Sequence, residues 1–274
     1  MILVTGATGN AGGAVVQVLV DRGRAVRGLV RSANAVLPTG AEAVVGDLDR
    51  PQSMRGPLAG ARGLFLLPGY RDMRGVLSEA RSAGVERVVL LSGGAAVAAD
   101  VRNPISQYMI RSEEAVREAG LAWTILRPYE FMSNALRWAQ QVRAGVVRAP
   151  FADVGVAAID PRDIAAVAVA ALLDAGHDGD SYRLSGPRSL LPQERVQMLA
   201  DALGRDVRFE AQPDDEARAE MSRSMSTEYV DAFMHFYRDG WVDESLVLAT
   251  VEEITGRKPG TFKRWALDHV EAFR

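Results

Sequence analysis

A glycine-rich segment near residue 5 carries the clearest chemical signal in the sequence. Gly6, Gly9 and Gly12 are spaced three residues apart, after the apolar run 2–4 and before apolar residues at helical spacing. This context predicts a turn from a buried strand into a helix. The first glycine permits the tight bend, the second lets the backbone approach a pyrophosphate, and the third lets the helix pack on the strand. The predicted contacts with a dinucleotide are Gly6, Thr8, Gly9, Asn10, Ala11 and Gly12.

Two other interpretations fit a glycine-rich turn. It can be a structural turn without a ligand, or the first loop of a methyltransferase. The spacing, which begins with Thr5 directly after the strand, favours a dinucleotide.

The end of the second predicted strand indicates which dinucleotide binds. An NAD site usually has an acid there, which binds the ribose 2′-hydroxyl. The stretch 22–41 contains no acid, and the strand ends in Arg31 and Ser32. A guanidinium can pair with a 2′-phosphate and the serine can donate a hydrogen bond to it, so the sequence predicts NADPH over NADH. Arg31 as a solvated residue is the alternative.

Other predicted cofactor contacts follow later strands, at the edge where dinucleotides lie. The carboxylate of Asp47 can accept a hydrogen bond from the adenine amino group, with Leu48 packed on the ring. Asp47 can instead, or in addition, cap a helix that begins near Pro51. The remaining contacts expected at this edge are Leu66, Leu67, Pro68, Ser92 and Gly93.

These residues need an alternating series of strands and helices to bring them together. Apolar runs predict strands at 2–4, 25–30, 43–45, 64–67, 88–91, 123–126 and 182–184. Helical patterns between them predict an α/β, doubly wound parallel sheet of the Rossmann type. We expect an NAD(P)-binding domain over 1–150, to which 155–190 also contribute, and a small, mostly helical lobe over 190–274 that covers the substrate. Asp160, before Pro161, is a predicted helix N-cap.

Composition excludes several other functions. The 274 residues include no cysteine, which removes thiolate nucleophiles and cysteine zinc sites, and the three histidines are widely scattered, so no metal is expected. The formal net charge of −3 argues against nucleic-acid binding. The first twenty residues carry no charge, but glycines interrupt them, so we expect no signal peptide, no membrane partner and a cytoplasmic location.

Several motifs resemble those of one family. They are TGATGNAGG at 5–13, LVRS at 29–32, GDL at 46–48, GLAWTILRPYEFMSNAL at 120–136, IDPRDIA at 159–165, YRLSGP at 182–187 and TGRKPGTF at 255–262. These motifs and their order along the chain resemble those of the NmrA-like group of atypical short-chain dehydrogenases/reductases, which includes NAD(P)H:quinone oxidoreductases. The resemblance covers nearly the whole chain, and the 120–136 run is the most particular to this group.

The resemblance implies a substrate pocket over the nicotinamide, between the Rossmann domain and the lobe. Pro128 would then contact the cofactor, and Tyr129, Phe131 and Met132 the substrate. Phe131 and Met132 can equally be core residues.

The sequence departs from the family at the catalytic positions. Common short-chain dehydrogenases use a Tyr-x-x-x-Lys pair, whereas Tyr108 is followed by Arg111 and Ser112. Arg111 could still favour a tyrosinate. Many NmrA-like relatives carry a histidine where Met109 stands. Tyr108 and Ser92, the latter as an oxyanion donor, are therefore the catalytic candidates, although a packing or pocket residue on the helix face is the favoured interpretation of Tyr108.

The favoured function is an NADPH-dependent oxidoreductase that reduces a quinone or a conjugated or aromatic carbonyl compound. Such a small-molecule substrate needs little acid–base chemistry, and aromatic side chains of the 229–241 segment would hold its flat ring. One alternative is a non-catalytic NADP(H)-binding redox sensor of the NmrA type. Another is a tailoring ketoreductase of a natural-product pathway. A sugar-nucleotide epimerase ranks lower, because it needs the Tyr/Lys pair. Monomer and homodimer both remain open.

Overall fold

A computed structural model describes residues 1–98 and 102–274 of the chain. Its strands are β1 (Ile2–Val4), β2 (Val26–Val30), β3 (Glu42–Val45), β4 (Gly63–Leu66), β5 (Arg87–Leu91), β6 (Ala122–Pro128), β7 (Val146–Ala149), β8 (Asp180–Leu184) and β9 (Arg208–Ala211). Seven of them form one parallel sheet in the order β3-β2-β1-β4-β5-β6-β8. The predicted doubly wound Rossmann sheet is therefore confirmed.

Helices cover both faces of this sheet. They are α1 (Asn10–Asp21), α2 (Arg55–Leu58), α3 (Met73–Ser82), α4 (Pro104–Arg117), α5 (Ala139–Ala144), α6 (Pro161–Leu173), α7 (Pro192–Leu203), α8 (Asp214–Met221), α9 (Thr227–Arg238), α10 (Thr250–Thr255) and α11 (Phe262–Asp268). Short 3₁₀ helices span Pro51–Met54, Gly94–Ala98, Met132–Trp138 and Val270–Phe273. Apolar residues of α1 and α6 pack with one face of the sheet, and those of α3 and α4 with the other. Because both faces are covered, β1 and β4 are continuous buried apolar runs.

The order of strands fixes where a ligand can bind. The chain runs outward from β1 through β2 to β3, and then returns to start again at β4 on the other side of β1. The crevice beyond the carboxyl ends of β1 and β4 is thus the point at which the winding reverses, where dinucleotides bind in such folds.

Local signals set the ends of several helices. Asp160 caps α6 by accepting a hydrogen bond from the N–H of Arg162, with Pro161 at the first position, which confirms the predicted cap. Gly204 ends α7 in the left-handed conformation, at φ +64°. In the described residues no helix is both long and apolar enough to cross a membrane.

A second, two-stranded parallel sheet, β7 with β9, lies in the C-terminal half and was not predicted. Its strands are four residues each and partly polar, so they give no clear alternation. The domain division near residue 150 remains a proposal. The pairing of β7 with β9 favours a boundary before β7.

Candidate functional site

The glycine turn has the geometry that each of its glycines predicts. Gly6 has φ +61°, in the left-handed region that favours glycine. The N–H of Gly9 donates to the carbonyl of Gly6 at 2.8 Å, which closes the turn. A Cβ on Gly12 would lie 2.2 Å from the Gly6 carbonyl oxygen, so α1 packs on β1 as closely as its backbone permits. The first turn of α1 therefore opens into the crevice, with no acidic side chain in it.

The loops after β1 and β4 form one wall of the crevice because they are bonded to each other. Thr5 is fully buried, and its Oγ1 accepts a hydrogen bond from the N–H of Leu67 at 3.0 Å. A Cβ on Gly6 would meet Cδ1 of Leu67 at 2.5 Å. Leu67 is thus placed directly beside the glycine turn. The sequence analysis named Thr5 only as the first residue of the motif, whereas in the structure its hydrogen bond joins the two loops.

A contact from α1 reaches the segment after β6. The Nδ2 of Asn10 donates to Oγ of Ser133 at 3.0 Å, across 123 positions of sequence. Ser133 is buried in the 3₁₀ helix that begins at Met132. Asn10 therefore fixes the start of α1 against the substrate side of the site, a role that sequence reasoning missed because no local pattern links the two residues.

At the ribose end, Arg31 and Ser32 follow β2 and are exposed. Asp47, after β3, accepts hydrogen bonds from the N–H of Asp49 at 3.0 Å and from Nε of Arg50 at 2.8 Å. These bonds, with the nearby charges of Arg50 and Arg31, lower the pKa of Asp47. Asp47 thus organises the turn before the Pro51–Met54 helix, but it does not cap that helix, since the N-cap residue is Arg50 and no side chain caps it. Arg31 lies near enough to act on the same carboxylate. Leu48 is buried in the core beside it.

Ser92 lies after β5 and is bonded to a buried carboxylate. Its Oγ donates to Oε1 of Glu113 at 2.7 Å. Glu113 also accepts from Arg117 at 2.8 Å, and from Nε and an Nη of Arg127 at 2.9 and 2.5 Å. Burial raises the pKa of Glu113, but the bonds from Arg127 and Ser92 outweigh it, so the pKa is lowered. With its proton directed at Glu113, Ser92 is not oriented as the oxyanion donor that we predicted.

A cavity of about 270 Å³ lies beyond the carboxyl ends of β5 and β6. We call it the acceptor cavity. Its lining includes Ser92, Gly93, Gly94, Ile105, Met109, Pro128, Tyr129, Glu130, Phe131, Asn134, Phe233, Phe236, Tyr237 and Glu244. The structure therefore brings together most of the residues predicted for the nicotinamide and substrate side with three aromatic side chains of the 229–241 segment.

The four residues predicted after β6 differ in their surroundings. Pro128 and Phe131 line the acceptor cavity. Tyr129 lines it too, but is only 2% exposed, and its hydroxyl accepts a hydrogen bond from an Nη of Arg183 at 2.5 Å. Met132 is not among the lining residues and packs in the core of the lobe, so its core interpretation is the correct one.

Tyr108 and Ser92 do not meet. Tyr108 lines a separate cavity with Tyr70 and Arg111, and its ring lies 3.2 Å from the position of a Cβ on Gly69. Burial, and then Tyr229, raise the pKa of Tyr108, so the expected tyrosinate is not favoured. The placement supports the packing interpretation of Tyr108.

Two acids of the acceptor cavity, Glu130 and Glu244, were missed by sequence reasoning, and Glu244 is the one without an ion pair among the described contacts. The side chain of Glu244 is buried, and its Oε2 accepts a hydrogen bond from the N–H of Glu130 at 3.0 Å. A Cβ on Gly94 would lie 2.7 Å from Oε1, so that oxygen faces the loop after β5. Burial raises the pKa of Glu244 to about 8. The residue lies outside the helices and strands, in a polar stretch where no periodicity marks it.

A second cavity of about 390 Å³ adjoins the first and shares Glu130, Phe233 and Tyr237 with it. Glu130 is paired there with Arg137 at 3.3 Å and with the buried Arg195 at 3.0 Å. These three side chains therefore line both cavities, and the acceptor cavity lies next to a larger space inside the lobe.

Known proteins are similar to this chain in sequence and in fold. Residues 6–175 match a family described as NAD(P)H-binding. The chain belongs to the NAD(P)H-binding family. It is 40% identical to a (4-alkanoyl-5-oxo-2,5-dihydrofuran-3-yl)methyl phosphate reductase of Streptomyces griseus, over all of this chain and 99% of that protein. It is 36% identical to an NAD(P)H azoreductase of Xenophilus azovorans, with the same coverage.

A solved structure has the same fold. An NADPH-dependent quinone oxidoreductase from Escherichia coli, complexed with NADPH, superposes with a TM-score of 0.79 at 23% identity, over 99% of this chain and all of that one. The resemblance to the NmrA-like group is confirmed, and the chain is an NAD(P)H-dependent oxidoreductase.

The residues present fit an NAD(P)H cofactor. At Gly9 a Cβ would meet only the Gly6 carbonyl oxygen, at 3.3 Å, so the backbone lies open toward the crevice. The exposed N-terminal turn of α1 and the loops after β2 and β4 complete the cradle.

Proposed function

We propose that this protein reduces conjugated carbonyl compounds or quinones with NADPH. The observation that carries the proposal is the acceptor cavity, which adjoins the cofactor crevice and is walled by Phe131, Phe233 and Phe236. Flat aromatic walls suit a planar, electron-poor acceptor. NADPH, when bound, supplies a hydride. The chain supplies the phosphate-binding turn, the orientation of the ring and the exclusion of water.

The named relatives support an electron-poor acceptor. The Streptomyces griseus relative is named as a reductase of an alkanoyl-oxo-dihydrofuran phosphate, whose ring double bond is conjugated to carbonyl groups. The Xenophilus azovorans relative is named as an azoreductase. Both names describe the reduction of a compound that contains an unsaturated group. The acceptor for this chain is proposed by class only.

A turnover assay tests the proposal. Purified protein is mixed with NADPH and, in separate reactions, a small quinone, an acyl butenolide and a saturated ketone, and the loss of NADPH absorbance is followed. We expect the first two acceptors to accelerate NADPH oxidation and the saturated ketone to leave it unchanged. If no conjugated acceptor accelerates the oxidation, the proposal is wrong. Tight binding of NADP(H) without any turnover would support the redox-sensor alternative.

The cofactor preference is a separate proposal, that Arg31 and Ser32 hold the 2′-phosphate. We expect Arg31→Glu to weaken NADPH binding by about tenfold or more, because one charge-assisted pair is replaced by repulsion, while NADH binding changes little. Fluorescence titration with both nucleotides measures this. The control is Arg24→Glu, an exposed residue before the other end of β2, which should leave both affinities unchanged. An unaltered preference in Arg31→Glu would refute the assignment.

Tyr108 provides a test of the catalytic candidates. Because it lines a different cavity from Ser92, we expect Tyr108→Phe to keep kcat within about threefold of the wild type. Steady-state kinetics measure this, with the quinone that gives the fastest NADPH oxidation in the turnover assay as the substrate. A loss of about 100-fold or more would restore Tyr108 as an acid.

A further inference from the structure

Reduction of a conjugated carbonyl compound needs a proton as well as a hydride. Once a hydride has added, the product carries negative charge that is delocalised onto oxygen, and a nearby acid accelerates the reaction by neutralising it. Two hydroxyl groups of the acceptor cavity are weaker candidates for this acid. Ser92 directs its proton at Glu113. The hydroxyl of Tyr129 accepts a hydrogen bond from Arg183 and keeps its own proton free, but burial raises the pKa of Tyr129. A carboxyl group of the cavity wall that holds its proton at neutral pH is a stronger acid than either hydroxyl.

Both the backbone and the side chain of Glu244 are held in that wall by hydrogen bonds. Its backbone carbonyl accepts from the N–H of Ala157 at 2.7 Å, and its Oε2 accepts from the N–H of Glu130 at 3.0 Å. These bonds leave Oε1 facing Gly94, next to Ser92 and Gly93 at the predicted nicotinamide end. Gly94 is needed there, because a Cβ would lie 2.7 Å from Oε1. The carboxyl group is thus fixed, buried and directed at the cavity by the loops after β5 and β6.

We propose that Glu244 is the proton donor of this reductase, an inference that rests on the proposed function. The O–H bond of the Glu244 carboxyl breaks as a new bond to hydrogen forms on the product, and the two electrons have already arrived with the hydride. Glu244 is left as a carboxylate and takes a proton back from water after release of the product. No other oxidant or reductant is needed.

Burial, more than the surrounding charges, keeps Glu244 protonated at neutral pH. Burial is the main cause of the raised pKa, about 8, and the like charge of Glu130 adds to it. The hydrogen bond from the Glu130 N–H, and the cations Arg195 and Arg183, act in the opposite direction. The ionisable groups that face it are Glu130 after β6, Tyr129 in the same loop, Arg183 on β8, Arg195 on α7 and Tyr237 on α9.

Tyr237 is the competing donor, since it lines the same cavity. Burial raises its pKa far above the ordinary value, with the charges of Glu130 and Glu244 adding to the effect. A phenol that holds its proton so strongly is a poor acid near neutral pH, whereas an acid with a pKa close to the working pH is favoured. Tyr237→Phe is therefore included as a comparison.

The decisive variant is Glu244→Gln, which keeps the shape and the acceptor for the Glu130 N–H but holds no transferable proton. We expect kcat to fall by about 100-fold or more, with the NADPH dissociation constant and KM nearly unchanged. The wild-type kcat should fall about tenfold per pH unit above about pH 8, and the residual rate of Glu244→Gln should lack this step. Asp243→Asn, which removes a neighbouring exposed carboxylate, should keep the wild-type rate.

An infrared spectrum gives a readout that does not depend on turnover. The difference between wild type and Glu244→Gln should contain the carbonyl band of a protonated carboxylic acid at about pH 7, and this band should disappear above about pH 9. A carboxylate signal at neutral pH would overturn the proposal, and so would an unchanged kcat in Glu244→Gln. A loss of kcat of about 100-fold in Tyr237→Phe, without such a loss in Glu244→Gln, would assign the role of acid to Tyr237 instead. A wild type that turns over no conjugated acceptor would instead overturn the proposed function, and this role with it.

Discussion

Replacing Gly12 by alanine is expected to abolish useful cofactor binding. The added Cβ would lie 2.2 Å from the Gly6 carbonyl oxygen and 2.7 Å from that of Thr5, and both are backbone atoms that cannot move aside alone. The start of α1 must therefore shift away from β1, and with it the N–H groups that hold the phosphates. We expect NADPH to bind about 100-fold more weakly and the free energy of unfolding to fall by about 1–3 kcal/mol. Titration calorimetry and urea unfolding measure the two effects.

Gly13→Ala is the matched control for this variant. Gly13 is the next residue of α1, but its Cβ would lie 3.3 Å from the nearest atom, the Ala7 carbonyl oxygen. Alanine is also the better helix former, by about 1 kcal/mol, so in both variants helix propensity alone predicts a gain in stability. A loss of NADPH affinity and of stability that occurs in Gly12→Ala but not in Gly13→Ala would then come from the close packing of α1 on the Gly6 backbone. Wild-type affinity in Gly12→Ala would contradict the assigned role of the third glycine.

The Rossmann half of the molecule could be predicted because its signals are local. The central strands β1, β2, β4 and β5 are short, mostly apolar runs, and the helices repeat their apolar residues on one side. The glycine turn follows directly from this pattern, since Gly6, Gly9 and Gly12 lie within one strand–turn–helix unit. The same reasoning missed β7 and β9, whose pairing joins residues about sixty positions apart and buries few side chains.

The acceptor side of the site could be predicted only in part. Phe131 and Met132 are adjacent at the end of β6, and the structure directs one into the cavity and the other into the core of the lobe. Sequence reasoning left that choice open, since it depends on where the lobe packs. Glu244 could not be found at all, because its raised pKa comes from burial, and the residues that surround it, such as Glu130 and Arg183, are far away in sequence.

The bond between Ser92 and Glu113 is a further contact that the sequence did not reveal, and it leads to the second large prediction. Glu113 is 2% exposed and accepts hydrogen bonds from Ser92, Arg117 and Arg127. Truncation by Glu113→Ala would leave these donors without their shared acceptor, and the Arg127 guanidinium is itself largely buried. We expect the free energy of unfolding to fall by about 3–5 kcal/mol, measured by urea denaturation at about pH 7.

Glu118→Ala is the control, because it also removes an ion pair near the same helix. Its carboxylate lies 2.6 Å from Arg74, but both side chains are more than half exposed, so the loss in the free energy of unfolding should stay below about 1 kcal/mol.

Acid pH gives a second test of Glu113. The pKa of Glu113 is lowered on folding, so its ionised form stabilises the protein above the ordinary value of 4.5, and this contribution is lost as the pH falls through the folded-state pKa. A Glu113→Gln variant removes this charge at every pH. The difference in the free energy of unfolding between wild type and Glu113→Gln should therefore narrow below about pH 4.5, and a difference independent of pH would mean that the carboxylate charge does not hold these loops together.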